Sequence, residues 1–406
     1  MNVASRETTC CIAGGGPAGI MAGLLLARQG VDVIVLEKHG DFLRDFRGDT
    51  IHPSTLELLA ELGWIDEFLR LPHTRLQQVT VEMEGSPITF ADFQKLDVRC
   101  PFVVFMPQWV FLDFLAAKAR AYPGFQLLMN TEVTGLVREQ DRTTGVQART
   151  STGELAVHCQ LVIGADGRHS VVRQAAGLEV LRISPPMDVL WFRLARRADE
   201  KLPFFREGGG HVLINIDRGE YWQLAYVIAN GQFAAVKAKG IEALRSSIAR
   251  LMPELAFRAK ELEDWEQIKF LSVSVDRLRR WYLPGLICTG DAAHAMSPAG
   301  GVGINLAVQD AVAAANLLGP SLRAAKPPPV ELLERVQSRR EFPTRVTQAV
   351  QTRALSGLYP KTVEDDASQR VPLGFKLFRY FPALRHLTGR FIGLGVRPEH
   401  IAPLNG

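Results

Sequence analysis

The sequence predicts an α/β chain of two lobes followed by a helical C-terminal region, and three patterns predict it. Glycines at 14, 16 and 19 follow a short apolar strand pattern and open an apolar-periodic helix. Alternating apolar runs recur at "QQVTVEM", "MDVLWFRLAR" and "GGGHVLINIDRGEYWQLAYVIANG", the last reading as two strands joined by "DRGE". From about Ala307 onward the apolar spacing is mostly helical, with "KPPPVE" (Lys326–Glu331) as a proline spacer.

Composition narrows the class. The 406 residues are 47% hydrophobic and 22% charged, enough for a sizeable core in two or three lobes. A net charge of +4 suits anionic cofactors or substrates, and without a long Lys/Arg run it argues against nucleic acid. The five cysteines are odd in number, form no C-x-x-C pair, and include the neighbours Cys10 and Cys11. That pattern predicts reduced thiols, no disulfide framework and no structural zinc, hence a cytoplasmic protein. No apolar stretch reaches the roughly 20 residues of a membrane span.

In chain order, "TTCCIA", "GGGPAG", "IMAGLLLARQG" and "DVIVLEK" read as strand, loop, helix and strand. Gly14 allows the tight turn, Gly16 the close approach of a pyrophosphate, and Gly19 the packing of helix on strand. Free N–H groups at the helix start, around Pro17 and Ala18, then face the phosphates. Glu37, with Lys38 beside it, ends the second strand, where a carboxylate accepts from a ribose diol. This motif says dinucleotide, in a Rossmann-like lobe, and leaves NAD versus FAD open. A second motif, "LVIGADGRHSVVR", puts Asp166-Gly167 after an apolar strand, with Ser170 and Arg173 following. A third, "GDAAHAMSPAGGVGINLAVQDA", carries Gly290-Asp291, Pro298 and a glycine run ending in Gly303-Ile304-Asn305.

Together these motifs resemble the class A flavoprotein monooxygenases, of the para-hydroxybenzoate hydroxylase and ubiquinone-biosynthesis hydroxylase type. The resemblance runs from about Thr9 to Leu318. It implies the para-hydroxybenzoate hydroxylase fold, with an FAD-binding lobe from 1–72, 107–178 and 283–330. A mainly antiparallel sheet lobe for substrate follows from 73–106 and 179–282, and a helical region from 331–406. It implies noncovalent FAD, with NADPH or NADH as donor. Asp291 would meet the ribityl chain, Gly290 would shape its turn, and Pro298 would lie beside the ring. The Gly303, Ile304 and Asn305 amides would face the pyrimidine edge, with bare backbone at Gly300 and Gly301. Arg47, and less directly Arg44, would contact the diphosphate or ribityl region, Gln108 the cofactor, and Val133 the adenine. Asp166-Gly167 would serve FAD and NAD(P)H together. A helix starting near Gly303 would aim about half a positive charge at the flavin edge that becomes negative on reduction.

The implied reaction is hydroxylation of a hydrophobic aromatic, phenolic, quinone-like or polyketide-like substrate with O2, through a flavin C4a-hydroperoxide in a dry pocket. The absence of a Ser-His-Asp set, a cysteine nucleophile or a metal cluster fits chemistry carried by a cofactor. Alternatives on the same scaffold are an epoxidase, a Baeyer–Villiger oxygenase or a reductase; of another class, a redox-inactive flavin-binding protein. A second glycine triad with a cysteine pair, and the W-x-W-x-I-P halogenase signature, are both missing. The chain is expected to hold no additional thioredoxin-like domain.

His294 is a candidate near the ring, although a histidine in such a loop is more often structural; His52 reads as a local hydrogen-bonder. In the resembled family the sheet floors the substrate pocket, so His211, Trp222 and Tyr226 are candidate substrate contacts. Alternation puts Trp222 and Tyr226 on one face and Gln223 on the other, and leaves open which face meets substrate. Gly374–Gly395 mixes Lys376, Arg379, Arg385 and Arg390 with large apolar residues. It fits a packed helix pair broken at Pro382 better than a membrane-facing segment.

Overall fold

The computed structural model describes residues 4–43, 50–83, 86–183, 187–197, 199–200, 202–208, 211–354 and 373–404. The helices of eight or more residues are Pro17–Arg28 (α1), Pro53–Glu61 (α2), Gln108–Ala119 (α3), Ile241–Leu251 (α4), Gly303–Arg323 (α5), Val330–Ala349 (α6), Leu373–Tyr380 (α7) and Pro382–Gly393 (α8). A six-stranded sheet runs in the order Tyr282–Leu283, Leu286–Cys288, Leu161–Gly164, Cys10–Ala13, Val33–Leu36, Phe125–Leu128. Its strands are parallel except at the Tyr282–Leu283 edge. Cys10–Ala13 is buried throughout, as a parallel strand covered on both faces must be.

α1 is buried from Ala18 to Ala27 and packs on α5 and α3. Apolar residues around its whole circumference suit a helix enclosed on every side. Gly19 packs instead on the loop and strand before α1: a Cβ there would fall 1.9 Å from the Gly14 carbonyl oxygen and 3.3 Å from Ile12 Cγ2. α5 with its preceding turn (Ala299–Arg323) is, among the described residues, the one helix long and apolar enough to cross a membrane, and 78% of its apolar 18-residue span is buried inside the protein.

The second large sheet has seven strands, in the order Lys269–Leu271, Met187–Ala195, Tyr221–Ala229, His211–Asp217, Phe205–Gly208, Gln78–Met83, Ser86–Asp92. Most of its pairs are antiparallel, and the expected hairpin is present, with Asp217 opposite Trp222. One face packs on α4: Leu190, Phe192, Leu224 and Tyr226 share a cluster with Leu244, Ile248 and Leu251. The opposite face carries Val189, Trp191, Ala225 and Ile214. α8 packs on strand Ser86–Asp92, where Gly389 has its Cα against the Asp92 backbone.

Substitution Gly19→Ala would force backbone apart rather than a side chain aside. It is expected to destabilise the FAD-free chain by about 2–3 kcal/mol in urea unfolding. Gly30→Ala is no fair control because of its positive φ; Gly16→Ala, with nothing within 4 Å of the added methyl, should stay within about 0.5 kcal/mol.

Candidate cofactor and substrate site

α1 starts at Pro17 after Gly16, and no side chain caps it. Its first N–H groups are therefore free to meet a ligand, with the positive end of the helix dipole behind them. The loop before it is tight: Gly14 has φ +101° and passes against the Ala165 carbonyl. Glu37 stands at this loop. Its Oε2 accepts from the Gly15 N–H at 2.9 Å, and its Oε1 from the His39 N–H at 3.1 Å. Lys38 beside it is exposed. Val133 is buried in one cluster with Ile34 and Leu36, on the strand that leads to Glu37.

Asp166 braces the loop that follows it. Its two oxygens accept from Ser170 Oγ at 2.5 Å and the Val172 N–H at 3.1 Å, while Ser170 caps the short helix Val171–Ala175 by accepting from the Arg173 N–H at 2.9 Å. Burial pushes its carboxyl above the ordinary range, against these hydrogen bonds. The carboxylate thus holds its own loop in place, and Gly167, with φ +82°, has open space where a side chain would stand. Buried Arg173 fixes the loop further by donating to Asp276 and to the Arg168 carbonyl.

The three motifs meet at Gly290. It has φ +58°, and a Cβ there would lie 3.1 Å from Ala18 Cβ and 3.2 Å from Ala307 Cβ. The turn is wedged between the starts of α1 and α5. Asp291 then pairs with Arg168 of the second motif, Nε to Oδ2 at 3.0 Å, with both side chains about 30% exposed. Arg168 was not among the sequence candidates; its only signal is a basic residue two positions after Asp166.

α5 starts at Gly303, again with no side-chain cap and with open space where a Cβ would sit. Ile304 is buried, so only its backbone faces the helix start. The Asn305 side chain acts as a staple: Oδ1 accepts from the His52 N–H at 2.9 Å and Thr55 Oγ1 at 2.7 Å. Gly301, at φ +63°, leaves room for Thr50, whose Oγ1 donates to the Gly301 carbonyl at 2.8 Å. Gly300, also at positive φ, is exposed. Below Pro298, the Gln351 amide donates to the Ser297 and Ala299 carbonyls at 2.9 and 2.8 Å. Gln351 escaped the sequence analysis because its partners lie more than fifty positions away.

His294 is buried, with Nε2 2.6 Å from Asp310 Oδ2, a contact that braces the scaffold. Trp222, Tyr226 and His211 are engaged within the protein as well. Tyr226 OH meets Ser247 Oγ of α4 at 2.8 Å, Trp222 Nε1 donates to Glu200, and His211 stacks on Tyr226. All three lie on the face covered by α4. The other face turns to the cofactor loop, since Ala299 packs with Val227, Val212 and Ile214. At the end of that face Arg193 lies over the Tyr221 ring, 4.9 Å from its centroid. Arg193 and Tyr221 line a cavity of about 390 Å³ with Leu43 and Trp109. Gln108, the first residue of α3, is next to Trp109. Arg44 and Arg47 lie outside the described residues.

His52 gives a test of this packing. Burial lowers its pKa to about 4, against the hydrogen bond between Nδ1 and the Ile392 carbonyl at 2.7 Å. The unfolded imidazole takes a proton near pH 6.5 that the folded one refuses, so stability falls as pH drops from about 6.5 to about 4. The loss should reach up to about 3 kcal/mol in denaturant titrations. His52→Gln should flatten that part of the slope; an unchanged slope would contradict the burial.

The profile of the FAD binding domain family matches residues 7–351. The chain is 34% identical over 319 residues to a 6-methylpretetramide 4-monooxygenase of Streptomyces rimosus, covering 78% of this chain and 76% of that protein. It is 29% identical to a dialkyldecalin synthase of Streptomyces rugosporus, over 79% of this chain and 67% of that one. It spans less than two thirds of the length of several further relatives. Among solved structures, P. aeruginosa PqsL with 2-aminobenzoylacetate superposes with a TM-score of 0.75 at 22% identity, covering 90% of this chain and 98% of that one. With three glycine-and-carboxylate motifs converging on Gly290 and a profile match across most of its length, the chain belongs to the FAD binding domain family, the class A aromatic FAD monooxygenases.

Proposed function

We propose that this protein hydroxylates a hydrophobic, multi-ring aromatic or polyketide-like substrate, using FAD, NAD(P)H and O2, in the cytoplasm. The observation that carries this reading is the pair of uncapped helix starts at Gly16 and Gly303, joined through the wedged Gly290 turn. The residues fit FAD: each start has bare backbone with open space, and a partly exposed carboxylate, Asp291, stands between them. In this reading residues 14–19 hold the pyrophosphate, Glu37 the ribose, Asp291 the ribityl chain, and the backbone at 303–305 the flavin edge. Val133, Gln108, Gly167, Pro298, Gly300 and Gly301 complete the surface. Bound FAD supplies the redox chemistry and the activation of oxygen.

The chain's own residues bind, orient and keep water out. The Gly303 helix start favours negative charge on whatever lies against it, which stabilises a reduced ring. The cavity between Trp109, Leu43, Arg193 and Tyr221 supports a substrate larger than a single ring, because pockets of roughly 300–1,000 Å³ take ligands of that size. Kinship with enzymes acting on polyketide-like compounds, such as the 6-methylpretetramide oxygenase, supports the same class. Five free thiols support the cytoplasm.

The relative named as a dialkyldecalin synthase favours a second reading, in which FAD is bound without turning over. One experiment separates the two. Protein reconstituted with FAD is mixed with NADPH or NADH and a series of multi-ring phenols, while flavin absorbance and O2 are followed. Substrate-accelerated bleaching, matched O2 uptake and product gaining one oxygen atom support the hydroxylase. A yellow protein that no phenol brings to bleach supports the second reading. Gly303→Ala should leave the FAD-free chain as stable as wild type, since Ala suits a helix, yet weaken FAD binding at least about 10-fold, measured by flavin fluorescence quenching.

A further inference from the structure

Behind the Gly290 turn lies a chain of buried charges that the cofactor reading does not use. Asp310, on α5, Arg340, on α6, and Glu399, beyond α8, are each no more than 2% exposed. Asp310 Oδ2 accepts from the Gly290 N–H at 3.0 Å and lies 2.6 Å from His294 Nε2. Its Oδ1 accepts from Arg340 Nε at 3.0 Å. Arg340 Nη1 continues to Glu399 Oε1 at 3.3 Å and to the Arg397 carbonyl at 3.1 Å. Both Glu399 oxygens also accept from Arg339 Nε, at 2.8 Å each. Burial alone would raise the Asp310 carboxyl, but His294, Arg340 and the Gly290 N–H outweigh it and hold it below the ordinary range.

Desolvating such groups costs as much as or more than their pairing returns, and well-packed apolar residues often give a more stable core. Stability is therefore a poor reason for the cluster, and position is a better one. The first link is a hydrogen bond to the amide of the glycine that wedges α1 against α5. The last link lies in the tail, outside the residues 7–351 that match the family. The tail has further, separate anchors: Glu61 Oε2 accepts from the Ile401 N–H at 2.8 Å, Glu61 Oε1 meets His400 Nδ1 at 2.5 Å, Asn316 bonds to the His400 carbonyl and the Ala402 N–H at 2.8 and 3.0 Å, and Gln309 Oε1 accepts from the Glu399 N–H.

We propose that Asp310 is a positioning residue for the Gly290–Asp291 turn and that Arg340 and Glu399 hold it in register, which makes the tail after α8 part of the cofactor site. The proposal rests on FAD occupying that site. Removing Glu399's charge leaves Arg340 with Asp310 as its one close carboxylate among the described residues, so the guanidinium and carboxylate rearrange and the Gly290 amide loses its fixed acceptor. The loss is transmitted to Asp291 one residue on, with no residue that touches FAD being altered.

The test uses the full chain, with FAD affinity read from fluorescence quenching, the flavin absorption band from spectra of the complex, and stability from urea unfolding without FAD. Glu399→Gln should weaken FAD at least about 10-fold and shift the absorption band. Glu61→Ala, which loosens the tail at one of its other anchors, should change FAD affinity less than about 2-fold. Arg340→Lys keeps the charge but loses the fork, and should fall between wild type and Arg340→Met; this pair gives the same contrast if Glu399→Gln does not fold. Equal weakening by Glu399→Gln and Glu61→Ala would reduce the cluster to a structural tether and overturn the proposal. Unchanged affinity and spectrum in Glu399→Gln would overturn it too. A wild-type chain that binds no FAD would instead overturn the cofactor reading beneath it.

Discussion

Gly290, at positive φ, has little room for a side chain, and the proposed site depends on that constraint. Ala18 on one side and Ala307 on the other bring the starts of two helices to a single turn. Each helix presents free N–H groups and about half a positive charge, with no capping side chain to absorb it. Two positive ends held together are electrostatically unsatisfied until something anionic lies against them. A pyrophosphate at one and a reduced flavin at the other would relieve both, so on the proposed reading the fold is built to be completed by its cofactor.

The polar side chains around this point mostly hold backbone in place. Asn305 staples the start of α5 to residues 52–55, Asp166 braces the first turn of the short helix Val171–Ala175, and Gln351 supports the strand and turn around Pro298. On the proposed reading, much of the recognition surface beside Glu37 and Asp291 is thereby left to amides and glycines, which cannot adopt another rotamer and are already oriented when a ligand arrives. α6, although it follows the proline spacer, belongs to this support: Gln348 donates to the carbonyls of Asp276 and Ala295, and Arg340 reaches Asp310.

The glycines were legible in the sequence because their reasons are local. Gly14 and Gly290 sit at positive φ, and Gly19 packs against backbone, demands that few other residues meet. The orientation of the large sheet was not legible, because strand Tyr221–Ala229 is buried on both faces and alternation carries no contrast there. Trp222 and Tyr226 look like substrate contacts in sequence, and only the position of α4 shows that they belong to the far face. The bracing contacts of Asp166 were not legible either, because an Asp four residues before Ser170 fits a ligand contact and a local brace equally well in sequence. The Asp310, Arg340 and Glu399 cluster joins residues up to ninety positions apart, and no spacing rule connects them.

The central claim is that a flavin ring and its pyrophosphate lie against two bare helix starts. Hydrogen exchange on the FAD-free chain, repeated with saturating FAD, tests it directly. The account predicts slowed exchange concentrated in residues 14–20, 289–292 and 300–306, with little change on the face of the sheet covered by α4. Saturating FAD that leaves the 300–306 amides exchanging as before, while protecting another part of the chain, would contradict it.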